Sequence, residues 1–109
     1  MFSGQNVSWR EQPSDKNITV GGTIIFPCKI NAQNPTEQVL IWNKGTQSLF
    51  YNDKRNSGVS TRYQLRGNIS EGEYDLEIQS VEESDDSLYS CQVFLFDLVN
   101  AKLTVLCKY

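Results

Sequence analysis

Short segments in which apolar and polar residues alternate, broken roughly every 8 to 12 positions by turn formers, constrain this chain more than any other feature. Neighbours along a strand point to opposite faces, so such a segment buries one side of a sheet and wets the other. Nowhere do apolar residues recur at the i, i+3, i+4, i+7 spacing of an amphipathic helix, so no helix is expected. Eight or nine strands are predicted. They run from Val7 to Gln12, Asn17 to Val20, Thr23 to Ile30, Gln38 to Asn43, Gln47 to Tyr51, Thr61 to Arg66, Glu73 to Gln79, Leu88 to Phe94 and Asn100 to Leu106. Pro13 breaks the first from the second, Gly21-Gly22 turns the second into the third, and Lys44-Gly45-Thr46 closes a hairpin. Asn52 to Gly58 reads as a polar loop. The pattern predicts an all-β, antiparallel sandwich or barrel.

The 109 residues suffice for one domain, with its core over about residues 7–106. A chain of this length buries about 65% of its unfolded surface, enough to fold without a metal. Histidine is absent, which removes the commonest general base and metal ligand, and Cys28, Cys91 and Cys107 are the only sulfur ligands. No nucleophile stands beside a base, no glycine loop cradles phosphate, and no enzyme, metal or cofactor reading survives. Ten Lys and Arg against thirteen Asp and Glu, with no basic run beyond Lys54-Arg55, leave no footprint for nucleic acid or anionic lipid. No stretch is long and apolar enough to span a membrane. Met1-Phe2-Ser3-Gly4 lacks the pattern of a signal peptide, so Met1 reads as an added start and residues 1–109 as a single module excised from a longer protein.

Side-chain phase gives the interior. With Cys28 pointing in, Ile24, Phe26 and Ile30 follow, and Ile25, Pro27 and Lys29 point out. Tyr74, Leu76 and Ile78 likewise oppose Asp75, Glu77 and Gln79, and Leu103 with Val105 oppose Lys102 and Thr104.

Cys28 precedes Trp42, and Asp85-Asp86-Ser87-Leu88-Tyr89-Ser90-Cys91 spells D-x-x-x-Y-x-C. With these residues the sequence resembles the immunoglobulin superfamily, and the resemblance implies a two-sheet antiparallel Greek-key sandwich. The resemblance implies a cystine between Cys28 and Cys91 joining the sheets through the core, Trp42 packed on the sulfur, and Tyr89 tying a corner through its hydroxyl. Closing so long a loop contributes about 4 kcal/mol in the chain-entropy model. It also implies that Arg62, at the start of its strand, pairs with Asp85. The spacing of the two cysteines falls between antigen-receptor variable domains and constant domains, giving a V-type or intermediate V/I-type domain. The alternative is a pair of buried thiols in a cytosolic muscle-type module. Three N-x-[ST] sequons, at Asn6, Asn17 and Asn68, argue instead for an extracellular, glycosylated module, either secreted or at the cell surface.

Gly72-Glu73-Tyr74-Asp75-Leu76-Glu77-Ile78, then Ser84-Asp85-Asp86 through Tyr89-Ser90-Cys91-Gln92-Val93, then Ala101-Lys102-Leu103-Thr104-Val105-Leu106, resemble the first domain of nephrin and Kirrel-type adhesion receptors. The match covers about the last 45 residues. That family usually carries glutamine just before the tryptophan, where Ile41 stands here, and the segment after Gly45 is similar to lachesin and IgLON adhesion proteins. Both groups are cell-surface adhesion molecules.

With Trp42 and Cys91 pointing in, Val39, Ile41 and Asn43 on one strand and Ser90, Gln92 and Phe94 on another face outward. Phe50, Tyr51, Phe96 and Leu98 lie on neighbouring strands or their turn. Ile41, Phe50, Tyr51, Gln92, Phe94, Phe96 and Leu98 are therefore the candidate partner-binding residues, on what immunoglobulin nomenclature terms the GFCC′ face. Alternatively, some of these side chains fold over their own edge strand. No sequon falls on Gln38 to Tyr51 or Leu88 to Leu106. Glu71, Glu73, Asp75, Glu77, Glu82, Glu83, Asp85 and Asp86 crowd one segment, which reads as a solvated face and a polar turn.

The expected function is adhesion, by pairing with the same or a related immunoglobulin domain, homophilic or heterophilic. The alternative is a variable-type immune recognition domain, but the tail lacks an F-G-x-G bulge and only about four residues, Leu95 to Leu98, are left to turn the last hairpin. A sialic-acid-binding domain would want a strand arginine, and Ser87 to Phe94 contains none. Cys107 reads as an unpaired thiol or as a half-cystine with a partner elsewhere.

Overall fold

The computed structural model describes residues 6–107. The reading of Met1-Phe2-Ser3-Gly4 falls outside them. Eleven strands appear in chain order: β1 (Ser8–Glu11), β2 (Lys16–Thr19), β3 (Ile24–Phe26), β4 (Lys29–Asn31), β5 (Leu40–Lys44), β6 (Gln47–Tyr51), β7 (Lys54–Arg55), β8 (Tyr63–Arg66), β9 (Asp75–Ile78), β10 (Ser87–Val93) and β11 (Asp97–Leu106). The predicted strand from Thr23 to Ile30 is split in two, because Pro27 cannot donate to a ladder and the Cys28 amide bonds to the Asp75 carboxylate at 2.9 Å. The polar loop holds a short strand, β7, paired with β6. Single 3-10 turns at Pro35–Glu37, Ile69–Glu71 and Glu83–Asp85 are the helical elements among the described residues.

One layer is a six-stranded sheet in the order β2-β11-β10-β5-β6-β7. The other is built from β3-β9-β8 and the pair β1-β4, linked by a bridge between Lys29 and Glu73. All pairings are antiparallel except β2 with β11. Pro13 is buried at the point where the chain leaves β1, in one layer, to become β2, at the edge of the other. Gly72 adopts φ 83°, and a side chain there would collide with the Ile30 carbonyl, so glycine is required where β4 meets the entry to β9.

The core follows the predicted phase: Ile24, Phe26, Cys28, Ile30, Tyr74, Leu76, Ile78 and Leu103 are buried, and Val105 packs against them. Cys28 and Cys91 form the intersheet disulfide, with Cα atoms 6.6 Å apart. Trp42 is fully buried. Its indole donates to the Tyr74 carbonyl at 2.6 Å, and its ring lies 6.2 Å from Phe26, itself 5.5 Å from Tyr89. Burying each large side chain stabilises the fold by roughly 1.5–3 kcal/mol, while the paired indole N–H avoids the penalty of an unmet donor.

At the start of β10 the Arg62 guanidinium grips Asp85 through two bonds of 2.8 and 3.0 Å. Tyr63 donates to the same carboxylate at 2.5 Å, and the Tyr89 hydroxyl donates to the Asp85 carbonyl at 2.7 Å, closing the expected tyrosine corner. Burial works to raise the Asp85 carboxyl, but Arg62, the Glu82 amide and Tyr63 outweigh it and hold it below its ordinary value. Burial, with Asp85 alongside, pushes the Tyr63 phenol up to about 12.

Candidate protein-binding face

The register of the six-stranded sheet decides which side chains share its outer surface. Leu98 pairs with Gln92, Gln92 with Ile41, and Ile41 with Tyr51, so these four predicted residues form one row across β11, β10, β5 and β6. The next row is Asn100, Ser90, Asn43 and Ser48. It is polar and uncharged, knitted by Ser48 donating to the Asn43 carbonyl oxygen at 3.1 Å and the Asn43 amide donating to the Ser90 hydroxyl at 3.2 Å. Ser90 faces outward as predicted but is covered by this network and is 93% buried, with 7% exposed.

Above the first row sits the turn between β10 and β11. It comprises three residues, Phe94, Leu95 and Phe96, rather than Leu95 to Leu98, because pairing extends up to Val93 and Asp97. The Phe96 amide donates to the Val93 carbonyl at 3.0 Å, and the Phe94 amide to the Val39 carbonyl at 2.8 Å. Phe94, Leu95, Phe96, Leu98 and Tyr51 are all exposed, while Ile41 and Gln92 between them are half-buried.

Phe50 does not belong to this surface. The β5–β6 register slips at Leu49, leaving Ser48 opposite Asn43 but Phe50 opposite the inward Trp42. The bulge turns Leu49 and Phe50 both toward the interior, so Phe50 is buried, its ring 5.4 Å from the Arg55 guanidinium. Strict alternation could not place Phe50 and Tyr51 on one face, and the bulge decides which of them leaves.

Two contributors were not singled out from sequence. Leu88, exposed on the outward phase of β10, is set by Tyr89 pointing in and was legible from alternation alone. Trp9 was not. Its indole donates to the Asp97 carboxylate at 2.9 Å and its ring lies 5.4 Å from Phe96, joining β1 to the last turn across most of the chain. That indole bond, with the Leu98 amide, holds the Asp97 carboxyl below its ordinary value.

The three sequon asparagines are exposed. Asn6 leads into β1 and Asn68 lies between β8 and β9, both in the other layer. Asn17 sits on edge strand β2 opposite Thr104, about 20 Å along β11 from Leu98 at roughly 3.3 Å per residue. Much of the acidic segment is paired: Asp75 with Lys29 at 2.7 Å, Glu77 with Arg66 at 2.8 Å, and Asp86 with Lys102 at 2.5 Å. Cys107 is exposed and unpaired among the described residues, and the neighbouring Glu83 carboxylate raises its thiol pKa.

A sandwich pinned by this cystine, tryptophan and tyrosine corner defines an immunoglobulin variable-type domain. The model of the Immunoglobulin V-set domain matches residues 11–106, and the chain belongs to that family, whose domains are not enzymes. It is 33% identical over 91 residues to the Irregular chiasm C-roughest protein of Drosophila melanogaster, covering 84% of this chain and 11% of that one. To Kin of IRRE-like protein 1 of Homo sapiens it is 31% identical over 107 residues, covering 94% and 13%. The chain thus spans little more than a tenth of the length of these relatives. The crystal structure of Rst D1-D2 superposes with a TM-score of 0.79 at 31% identity, over 94% of this chain and 50% of that one. That of the RIG-5 IG1 homodimer gives 0.78 at 22%, over 92% and 97%, a likeness of fold. The expected resemblance to Kirrel-type first domains is met.

Proposed function

We propose that this domain is an extracellular adhesion module that pairs with the same or a related immunoglobulin domain through the outer face of β11, β10, β5 and β6. The observation that carries the reading is the cross-strand row Leu98, Gln92, Ile41 and Tyr51, capped by the apolar turn at Phe94 to Phe96. An apolar centre with a polar row beside it, and Lys54 beyond Tyr51 at its border, is the composition of an interface core with a polar rim. Two further facts support it: the exposed sequons lie off this surface, and the Rst and Kirrel-type proteins that the chain resembles are adhesion receptors. The RIG-5 domain of like fold is a homodimer. A turn of three residues gives no support to an antigen-reading loop.

Four strands about 4.8 Å apart and about 20 Å of strand length give a footprint of roughly 400 Å² per partner before side-chain relief. A standard interface takes about 800 Å² per partner, so a single pairing is weak and many copies on two apposed membranes supply the avidity. The test is sedimentation of the secreted domain, alone and with candidate partners, beside Ile41→Asp and Phe94→Asp. Both changes abolish association while leaving the melting temperature within a few degrees. Association that survives both would refute the face.

A further inference from the structure

We propose that Leu95 is the specificity-determining anchor of this face, a rigid apolar tip that seats in a second copy of this chain. The inference rests on the pairing face argued above. Leu95 is 74% exposed, more than any other large apolar side chain among the described residues, and its φ is 65°. In the turn from Val93 to Phe96 it holds the third position, where a left-handed backbone ordinarily takes glycine or asparagine because a Cβ crowds the following carbonyl. Asn52 shows the relaxed solution elsewhere in the same chain: φ is 53°, and its side-chain oxygen accepts from the Leu40 amide at 2.9 Å. Leucine has no polar side-chain atom with which to make such a bond. A strained, water-facing leucine is a stability cost with no return inside the domain, the pattern expected of a residue kept for contact.

The tip is also braced. Phe96 lies against Trp9, Asp97 accepts from the Trp9 indole, and the Phe94 amide is tied to Val39, so both flanks of Leu95 are held before any partner arrives. A side chain presented on a fixed turn loses little conformational freedom on binding, which is what gives an anchor its leverage. The occupant follows from charge. The two rows below the tip are neutral from β11 to β6 and are bordered by Lys54, opposite Tyr51 on β7, and by the Asp97 carboxylate beside Phe96, while Asp75, Asp85, Glu77 and Asp86 are paired with Lys29, Arg62, Arg66 and Lys102. A second copy brings the same neutral centre, with a carboxylate at one edge and a lysine at the other, so each border charge can meet its opposite in the partner.

The experiment compares the wild-type domain with Leu95→Asn, Leu95→Gly and Ile41→Asp by sedimentation equilibrium and thermal melting. Asparagine and glycine relieve the turn, so both variants melt at or above the wild-type temperature, yet each weakens self-association at least fivefold. A smaller weakening, while Ile41→Asp still abolishes pairing, overturns the anchor and leaves the face intact. A melting temperature lowered by more than about 5 °C in both variants assigns Leu95 to packing and equally overturns it. A wild-type domain that stays monomeric at the highest concentration overturns the second copy as occupant and leaves the face to a related domain.

Discussion

Arg62 and Asp85 meet in a two-pronged ion pair at the end of the sandwich remote from the Phe94–Phe96 turn, with the carboxylate 1% exposed. Truncating one partner strands a buried charge, so Arg62→Ala is expected to cost about 3 kcal/mol. Urea unfolding measures it, and the proposed pairing face toward the other end of β10 should keep its affinity wherever the variant is folded.

The same carboxyl sets the acid response. Its folded pKa is depressed, so its contribution is fully present above the unfolded value of about 3.9 and is lost as pH falls through the lower folded value. Wild-type stability should therefore fall more steeply below about pH 4 than that of Asp85→Asn. Urea midpoints between pH 2.5 and 6 compare the slopes, and parallel curves would show that Asp85 is not the group responsible.

Phe50 and Tyr51, adjacent in sequence, should behave oppositely. Phe50→Ala empties a buried site and is expected to cost about 3 kcal/mol. Tyr51→Asp leaves stability within about 0.5 kcal/mol, as for an exposed position, and weakens association. Thermal melts and sedimentation on the two variants distinguish the inward from the outward residue.

Secreted protein is expected to carry glycans at Asn6, Asn17 and Asn68. Intact-mass measurement of single Asn→Gln variants counts them, and the triple variant should bind as the glycosylated domain does. A loss of binding on removing the Asn17 glycan would place that edge in the contact.

Most of the fold was legible because one residue, Cys28, fixes the phase of its strand, and every inward neighbour at a spacing of two is buried as that phase requires. The Arg62–Asp85 pair followed from the family motif and stands in the structure. What failed did so where alternation itself is broken. The bulge at Leu49 has no sequence mark, since Leu49-Phe50-Tyr51 is apolar throughout, and it moved Phe50 to the core. Trp9 escaped because its partners, Phe96 and Asp97, are reached only through the tertiary fold. The last turn was read as Leu95 to Leu98 rather than Phe94 to Phe96 because nothing in Phe94-Leu95-Phe96 resembles turn chemistry.

The crossing of the chain at Pro13 has an outcome beyond the fold. By laying β2 along Leu103 to Leu106, it occupies hydrogen-bonding groups on the last four residues of a ten-residue rim that would otherwise offer them to other molecules. At the far rim β7 is only two residues long, Lys54 and Arg55, both cationic. Strand addition is thus blocked along part of one border by the protein's own backbone and discouraged at the other by length and charge. Exposed apolar side chains on the outer face are then less able to seed condensation through strand pairing.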